Sequence, residues 1–123
     1  MAQAQQSGSA GRSADMGETQ YLGHCAVCHG MSGKGDGPLA TMYTGGATVL
    51  PNLTELSKKN NGIFPFTRVY ETIDGTLQIR GHGPKDMPVW GREFKAEMDY
   101  VPEEVVRAKI LALTEYVYRL QAK

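Results

Sequence analysis

Both cysteines of the chain and two of its three histidines lie in one short segment, HCAVCHGMSGKGDGP, from His24 to Pro38. Within it, Cys25, Cys28 and His29 form the pattern C-x-x-C-H, the attachment signature of c-type haem, in which two thiols add to the two porphyrin vinyl groups. At this spacing near a helix end the thiols lie on one side of the chain, and His29 can turn its imidazole under the iron. The segment predicts one covalently attached haem.

Two other kinds of site use similar residues. A redox-active dithiol also has the pattern C-x-x-C, but it belongs beside a strand–helix–strand unit, which this sequence does not show. A zinc site needs four ligands, and Cys25, Cys28 and one histidine lack a second well-spaced pair. Both alternatives are therefore weaker than haem attachment.

The second face of the iron needs its own explanation. Of the six methionines, position along the chain leaves Met42 and Met87 as candidates for a sixth ligand. Met87 lies 87 − 29 = 58 residues beyond His29, in GHGPKDMPVWG, where glycine and proline limit the conformations of the loop. We predict Met87 as the ligand opposite His29, with the imidazole of His82 as the alternative.

The elements that must position these residues are predicted to be helices. The spacing of apolar residues predicts a first helix over 15–27 that ends at Gly30, and two short helices over 51–61 and 65–75. Pro102 begins the last helix, whose apolar stripe must face a core. That stripe consists of Val106, Ile110, Leu113, Val117 and Leu120. No convincing strand pattern is present, so the fold class is all-α.

Length and composition fit one small domain. The chain has 123 residues, of which we assign 1–13 to a disordered polar tail and 14–123 to the domain. Lys plus Arg equals Asp plus Glu at 13 each, which favours neither a nucleic acid nor an anionic membrane as partner. No membrane span or intact signal peptide is visible, and the AQAQ opening resembles the remainder of a cleaved signal, which predicts a soluble protein outside the cytoplasm.

The sequence resembles the monohaem class I cytochromes c from Gly17 to Leu120. Gly17 and Tyr21 match the glycine and aromatic residue of that family's first helix, and Leu113 and Tyr116 match their counterparts on its last helix. The resemblance implies a fold in which the N- and C-terminal helices cross, with short helices and loops wrapped round one haem. It also implies that the side chain missing at the glycine permits the close approach and that the two tyrosines pack there.

The glycine-rich loop GMSGKGDGP resembles the family segment that ends in a proline. In that comparison the Pro38 carbonyl accepts a hydrogen bond from the imidazole of His29, which fixes the orientation of the ring. PNLT, at 51–54, matches the family's entry into its second helix. A nucleotide-binding loop is disfavoured because neither G-K-[ST] nor a preceding strand is present.

Two functional classes follow from the iron coordination. A haem held by His29 and Met87 implies an electron carrier that is not an enzyme, whereas an open or labile sixth position implies a peroxidase-like haem enzyme or a ligand sensor. In the second case His82 is the candidate base. We expect a periplasmic protein whose signal peptide has been removed, and a monomer that meets its redox partners in transient complexes.

Whole-chain likeness suggests a partner. The run IFPFTRVYETIDG…HGPKDMPVWG resembles small periplasmic cytochromes that accept electrons from bacterial dehydrogenases. A molybdenum sulfite dehydrogenase is the expected donor and a terminal oxidase the expected acceptor. We interpret His24 as a surface residue and Trp90 as either core or a haem-edge contact. Candidates for the haem propionates are Arg68, Tyr70 and Arg80, each alternatively a solvated side chain.

Overall fold

Helices are the only regular elements in the computed structural model, which describes residues 16–40, 50–76, 87–96 and 102–122. Helix α1 covers residues 16–24. The other α-helices are α2 (Ala26–His29), α3 (Phe66–Asp74), α4 (Trp90–Ala96) and α5 (Glu103–Arg119), and 3-10 turns lie at Leu53–Glu55 and Lys58–Asn60. The predicted all-α class is confirmed, whereas the predicted tail over 1–13, Met42, Arg80 and His82 lie outside the described residues.

Helix α5 carries the largest share of the core. It follows Pro102, and Glu103 and Glu104 stand in its first turn, where carboxylates interact favourably with the helix dipole. Four of the five residues of the predicted apolar stripe are buried, and Leu120 packs against them. Burying a side chain of this size contributes about 1.5–3 kcal/mol. Helices α3 and α4 pack against α5 and against each other.

Helix α1 lies against α5 where Gly17 has no side chain. A Cβ at this position would lie 2.5 Å from the Ala112 carbonyl oxygen, so only glycine allows this approach. One turn further along α1, the rings of Tyr21 and Tyr116 pack with their centroids 5.0 Å apart. Both features of this interface agree with the sequence predictions.

The first predicted helix is interrupted rather than continuous. Residues 16–24 are helical, Cys25 forms a turn, and α2 then runs to His29. Gly30 ends it as predicted, with a φ of 86° that favours glycine. The interruption gives the C-x-x-C-H segment a short helix of its own.

Two features of the middle differ from the sequence prediction. The region 51–61 forms two 3-10 turns instead of an α-helix, and the first is capped by the Asn52 side chain, which accepts a hydrogen bond from the Thr54 N–H at 3.0 Å. Helix α4 was not predicted, because a seven-residue helix containing a glycine gives little periodic pattern. It places Phe94 in the core and Trp90 against it.

Candidate haem site

Helix α2 and the turn before it carry the three residues of the attachment signature. The N–H of Cys28 and the N–H of His29 both donate to the Cys25 carbonyl, at 3.1 and 2.9 Å. This turn fixes the spacing of the two thiols, both of which are free. Cys25 is buried and Cys28 is half-buried, and burial together with the neighbouring Cys28 raises the pKa of the Cys25 thiol to about 12.

The imidazole of His29 is poor in polar contacts. Its Nδ1 atom is buried and has no hydrogen-bond partner. Burial lowers the pKa of this imidazole, which favours the neutral form that ligates metals. A buried imidazole nitrogen without a partner is costly, so the ring has an unused polar atom for the predicted Pro38 carbonyl or for a bound group.

The predicted hydrogen bond from His29 to the Pro38 carbonyl is not formed in this structure. Pro38 nevertheless lies near the ring's helix, because the N–H of Gly37 donates to the Cys28 carbonyl at 3.0 Å. The N–H of Leu39 donates to the Val27 carbonyl at 2.8 Å. The role of Pro38 therefore stays a prediction, and both residues that flank Pro38 are hydrogen-bonded to the segment 27–28.

The glycine-rich loop is fastened along the carbonyl end of α2. The N–H of Gly35 donates to the His29 carbonyl at 2.7 Å, which satisfies one of the carbonyls that a helix end leaves free. A Cβ at Gly37 would lie 2.5 Å from the Val27 carbonyl oxygen and 2.6 Å from that of Ala26. Glycine is thus required for the loop to lie this close to the attachment segment.

Tyr21 joins this loop to the helix interface, a role that the sequence did not reveal. Its side chain is 1% exposed, and its hydroxyl donates to the Gly30 carbonyl at 2.6 Å. Burial is the main reason that its pKa is raised, with Cys25, Tyr116 and Asp36 adding to the effect. The only sequence indication was the hydroxyl itself, because a phenylalanine would suffice for packing alone.

Met87 packs against the core that contains the first attachment cysteine. Cys25 and Ala26 are members of the buried cluster, and the half-buried Met87 packs against that cluster. The structure therefore brings the first cysteine and the predicted sixth ligand to one core. The alternative ligand His82 lies outside the described ranges.

His24 is not the surface residue that the sequence suggested. It is half-buried, and its ring centroid lies 4.7 Å from that of Trp90 and 5.6 Å from that of Phe94. The end of α1 faces α4. Helix α4 has no clear pattern in the sequence, so its contact with His24 was not expected. Trp90 packs against the core, as one of its two interpretations required.

The remaining candidates behave differently. Arg68 is exposed, as expected for a solvated side chain, and Tyr70 is half-buried with a pKa raised mainly by burial. Within the described part of the chain, no group of three or more His, Cys, Asp or Glu side chains could hold a metal ion. The same residues contain no strand, so neither a zinc site nor a thioredoxin-like dithiol unit is found among them.

The residues present fit a haem bound in the c-type manner. The two free thiols on one short helical turn can form the thioethers, and the half-buried imidazole next to them, whose pKa is lowered by burial, can ligate iron. The thioether of Met87 is available from the same core. No helix among the described residues has the length and hydrophobicity needed to cross a bilayer.

Comparison with known proteins gives one match. A family model described as Cytochrome c matches residues 14–118, which is most of the chain. No curated protein and no solved structure matches it significantly.

Proposed function

The chain belongs to the cytochrome c family, whose members carry electrons on covalently bound haem c, and we propose that it is a monomeric periplasmic carrier serving a dehydrogenase. The observation that carries this proposal is the turn that presents two free thiols and an imidazole with a buried, unpartnered Nδ1 atom, at the point where Cys25 enters the core against which Met87 packs. Sulfite dehydrogenase is the proposed donor and a terminal oxidase the proposed acceptor. The likeness of the 63–75 and 82–91 segments to acceptors of dehydrogenases supports the choice of donor.

The chain's own residues divide the work of holding and tuning the group. Cys25 and Cys28 would tether it, and His29 and Met87 would ligate its iron. When bound, the haem supplies an iron that alternates between the ferric and ferrous states and so takes up and releases one electron. A thioether favours ferrous iron more than a second imidazole does, which gives a carrier suited to accept electrons from a dehydrogenase.

Exchange of electrons needs an accessible edge beside the attachment segment. Val27 is 39% exposed and Met31 is 74% exposed, on either side of the half-buried Cys28. With the formal charges balanced, the partner meets this region through a small, partly apolar contact, as in weak redox encounters. Neither residue is required to hold the haem, so both can be varied.

Steady-state reduction tests the proposed donor. The purified holoprotein is mixed with sulfite dehydrogenase and sulfite, or with other dehydrogenases and their substrates, and haem absorbance is followed. Rapid reduction only in the sulfite mixture is expected. Reduction by another dehydrogenase and not by sulfite dehydrogenase would reject the named donor. Mass spectrometry of denatured protein should first show the added mass of one haem.

Replacing Met87 tests the coordination that separates a carrier from an enzyme. The oxidised parent should show the weak red absorption band of sulfur–iron ligation, and Met87→Ala should lose it, lower the reduction potential and gain peroxidase activity. A parent with a high-spin spectrum that shifts on addition of cyanide would instead favour a haem enzyme or ligand sensor. If Met87→Ala kept the parent's spectrum and potential while a change at His82 altered both, the ligand would be His82.

A further inference from the structure

His24 connects the two sides of the proposed haem site. It is the last residue of α1 and the neighbour of Cys25, yet its imidazole packs on Trp90 at 4.7 Å between ring centroids. Trp90 is the first residue of α4 and stands only three positions after Met87. The contact therefore links the segment that attaches the haem to the segment that carries the proposed sixth ligand.

Besides the packing of Met87 and Trp90 against the buried cluster, the described contacts of the segment from Met87 to Trp90 are those of Val89 and of the Trp90 ring. The Val89 carbonyl accepts hydrogen bonds from the N–H groups of Arg92 and Glu93, both at 3.0 Å, but these bonds lie within the start of α4. On the opposite side Val89 packs close to Gly75, where a Cβ would lie 3.2 Å from its Cα and Cγ1 atoms. Val89 therefore contacts Gly75, and the Trp90 ring contacts His24 and Phe94.

The rings of His24, Trp90 and Phe94 all contact one another. Phe94, which is fully buried, stacks on Trp90 at 5.5 Å with an interplanar angle of 30°. His24 contacts both aromatic rings, and the Lys109 amino group lies 5.1 Å from the centroid of the Phe94 ring. Because Phe94 and Trp90 belong to the same helix, His24 supplies a direct ring contact between this pair and the end of α1.

Such a contact matters because a thioether is a weak ligand for iron. A ligand already held near its bound position loses less conformational freedom on binding, so the equilibrium between bound and released sulfur depends on what holds the segment. An aromatic contact contributes about 0.5–1.5 kcal/mol beyond the area it buries, which corresponds to as much as about tenfold in an equilibrium constant.

We propose that His24 is a positioning residue for the sixth ligand: its imidazole, packed on Trp90, keeps the Met87 segment beside the attachment helix and so keeps the sulfur on the iron. The inference rests on the proposed function, since it takes Met87 as the ligand. His24 itself touches neither the iron nor a redox partner in this role. Its action depends on the flat ring and not on a hydrogen bond.

Three variants of the holoprotein test this proposal. His24→Ala removes the ring, His24→Phe keeps a flat ring, and Leu22→Ala is the matched control because Leu22 lies on the same helix and is 40% exposed. The measurements are the red sulfur–iron band and the affinity of the ferric protein for cyanide, which competes with the sulfur. Circular dichroism establishes that each variant is folded.

We expect His24→Ala to weaken the band and to raise the cyanide affinity about fivefold to tenfold. His24→Phe should restore both values to within about twofold of the parent's, and Leu22→Ala should match the parent. Values for His24→Ala equal to those of the parent would overturn the proposal, as would a failure of His24→Phe to restore them. If His24→Ala does not fold, His24→Leu fills the space without a flat ring and is judged by the same criteria.

Measurements on the parent protein and on Met87→Ala distinguish a wrong role for His24 from a wrong choice of Met87 as the ligand. A parent that lacks the sulfur–iron band rejects Met87 as the ligand and with it the role of His24. A parent whose band is lost in Met87→Ala confirms the ligand. In that case a His24→Ala protein with the parent's band and cyanide affinity rejects the positioning role alone.

Discussion

The attachment segment shows how much of a site neighbouring residues can build. One helical turn from Cys25 to His29 sets the spacing of both thiols and the imidazole, and its hydrogen bonds are local. Local geometry follows from residue order, so the sequence was sufficient to predict this part. The contacts of His24 and Tyr21 join residues that come close only when the chain is packed, so no pattern in the sequence marks them.

Gly37 has no room for a side chain beside α2. We expect Gly37→Ala to lower the free energy of unfolding by about 1–3 kcal/mol, because its Cβ would meet the Val27 and Ala26 carbonyl oxygens. The displaced loop should also change the absorption spectrum of the bound haem. Denaturant unfolding measures the first effect, with Ser32→Ala, an exposed change in the same loop, as control. A Gly37→Ala protein as stable as that control would contradict the prediction.

The buried hydroxyl of Tyr21 should make the stability of the protein depend on pH in alkaline solution. An unfolded tyrosine has a pKa near 10, and burial raises the pKa of Tyr21 in the folded protein. Above pH ~10 the unfolded chain loses this proton while the folded chain keeps it, so stability falls as pH rises until the folded pKa is reached. In this range the Tyr21 hydroxyl lowers the free energy of unfolding by up to about 1.4 kcal/mol for each unit of pH.

We expect Tyr21→Phe to be less stable than the parent by about 1 kcal/mol at pH 7, through loss of the bond to Gly30. The difference should shrink or reverse between about pH 10 and 11, because the variant lacks the titrating hydroxyl. Denaturant titrations across this range measure both effects. Tyr116→Phe, whose hydroxyl faces the same interface and is less buried, should change the slope less. A constant difference between parent and Tyr21→Phe would refute the argument.

At the scale of elements, the crossing of α1 and α5 depends on one missing side chain. Gly17→Ala should lower the free energy of unfolding by about 1–3 kcal/mol, since the added Cβ would lie 2.5 Å from the Ala112 carbonyl oxygen. Gly23→Ala is the matched control on the same helix, because nothing lies within 4 Å of its Cβ position. It should raise stability by about 0.5–1 kcal/mol through the better helix propensity of alanine. Thermal unfolding of both variants checks the opposite signs.

The elements also show where prediction from sequence stopped. α5 and α3 were predicted because Pro102, Pro65 and Gly75 mark their ends and apolar residues recur along them. The seven residues of α4 span about two turns, which is too short for a periodic pattern to stand out, and tertiary packing decides their conformation. The turn at Cys25 was missed for the same reason. A missed α4 led directly to the wrong interpretation of His24.

At the scale of the whole molecule, the haem is expected to be part of the fold. The described core is one small cluster beside a glycine-rich loop, and a large apolar group bound only by the folded chain stabilises that chain. We expect a Cys25→Ala/Cys28→Ala protein from which haem has been extracted to have a lower free energy of unfolding than the parent. The difference should exceed about 2.7 kcal/mol, the stabilisation that a ligand gives at a hundred times its Kd. Denaturant unfolding measures this. Cys28→Ala, which keeps one thioether, should fall between it and the parent.

The contact between Gly17 and Ala112 also orders events in time. These residues are 112 − 17 = 95 positions apart, so joining α1 to α5 closes a loop that contains most of the domain. Distant pairings of this kind form late, because the entropy of the loop is lost before the contact forms. Cys25 and Cys28 leave the ribosome well before α5 does. Since Cys25 is buried once the helices have met, the interval before closure is the window in which both thiols can react with haem.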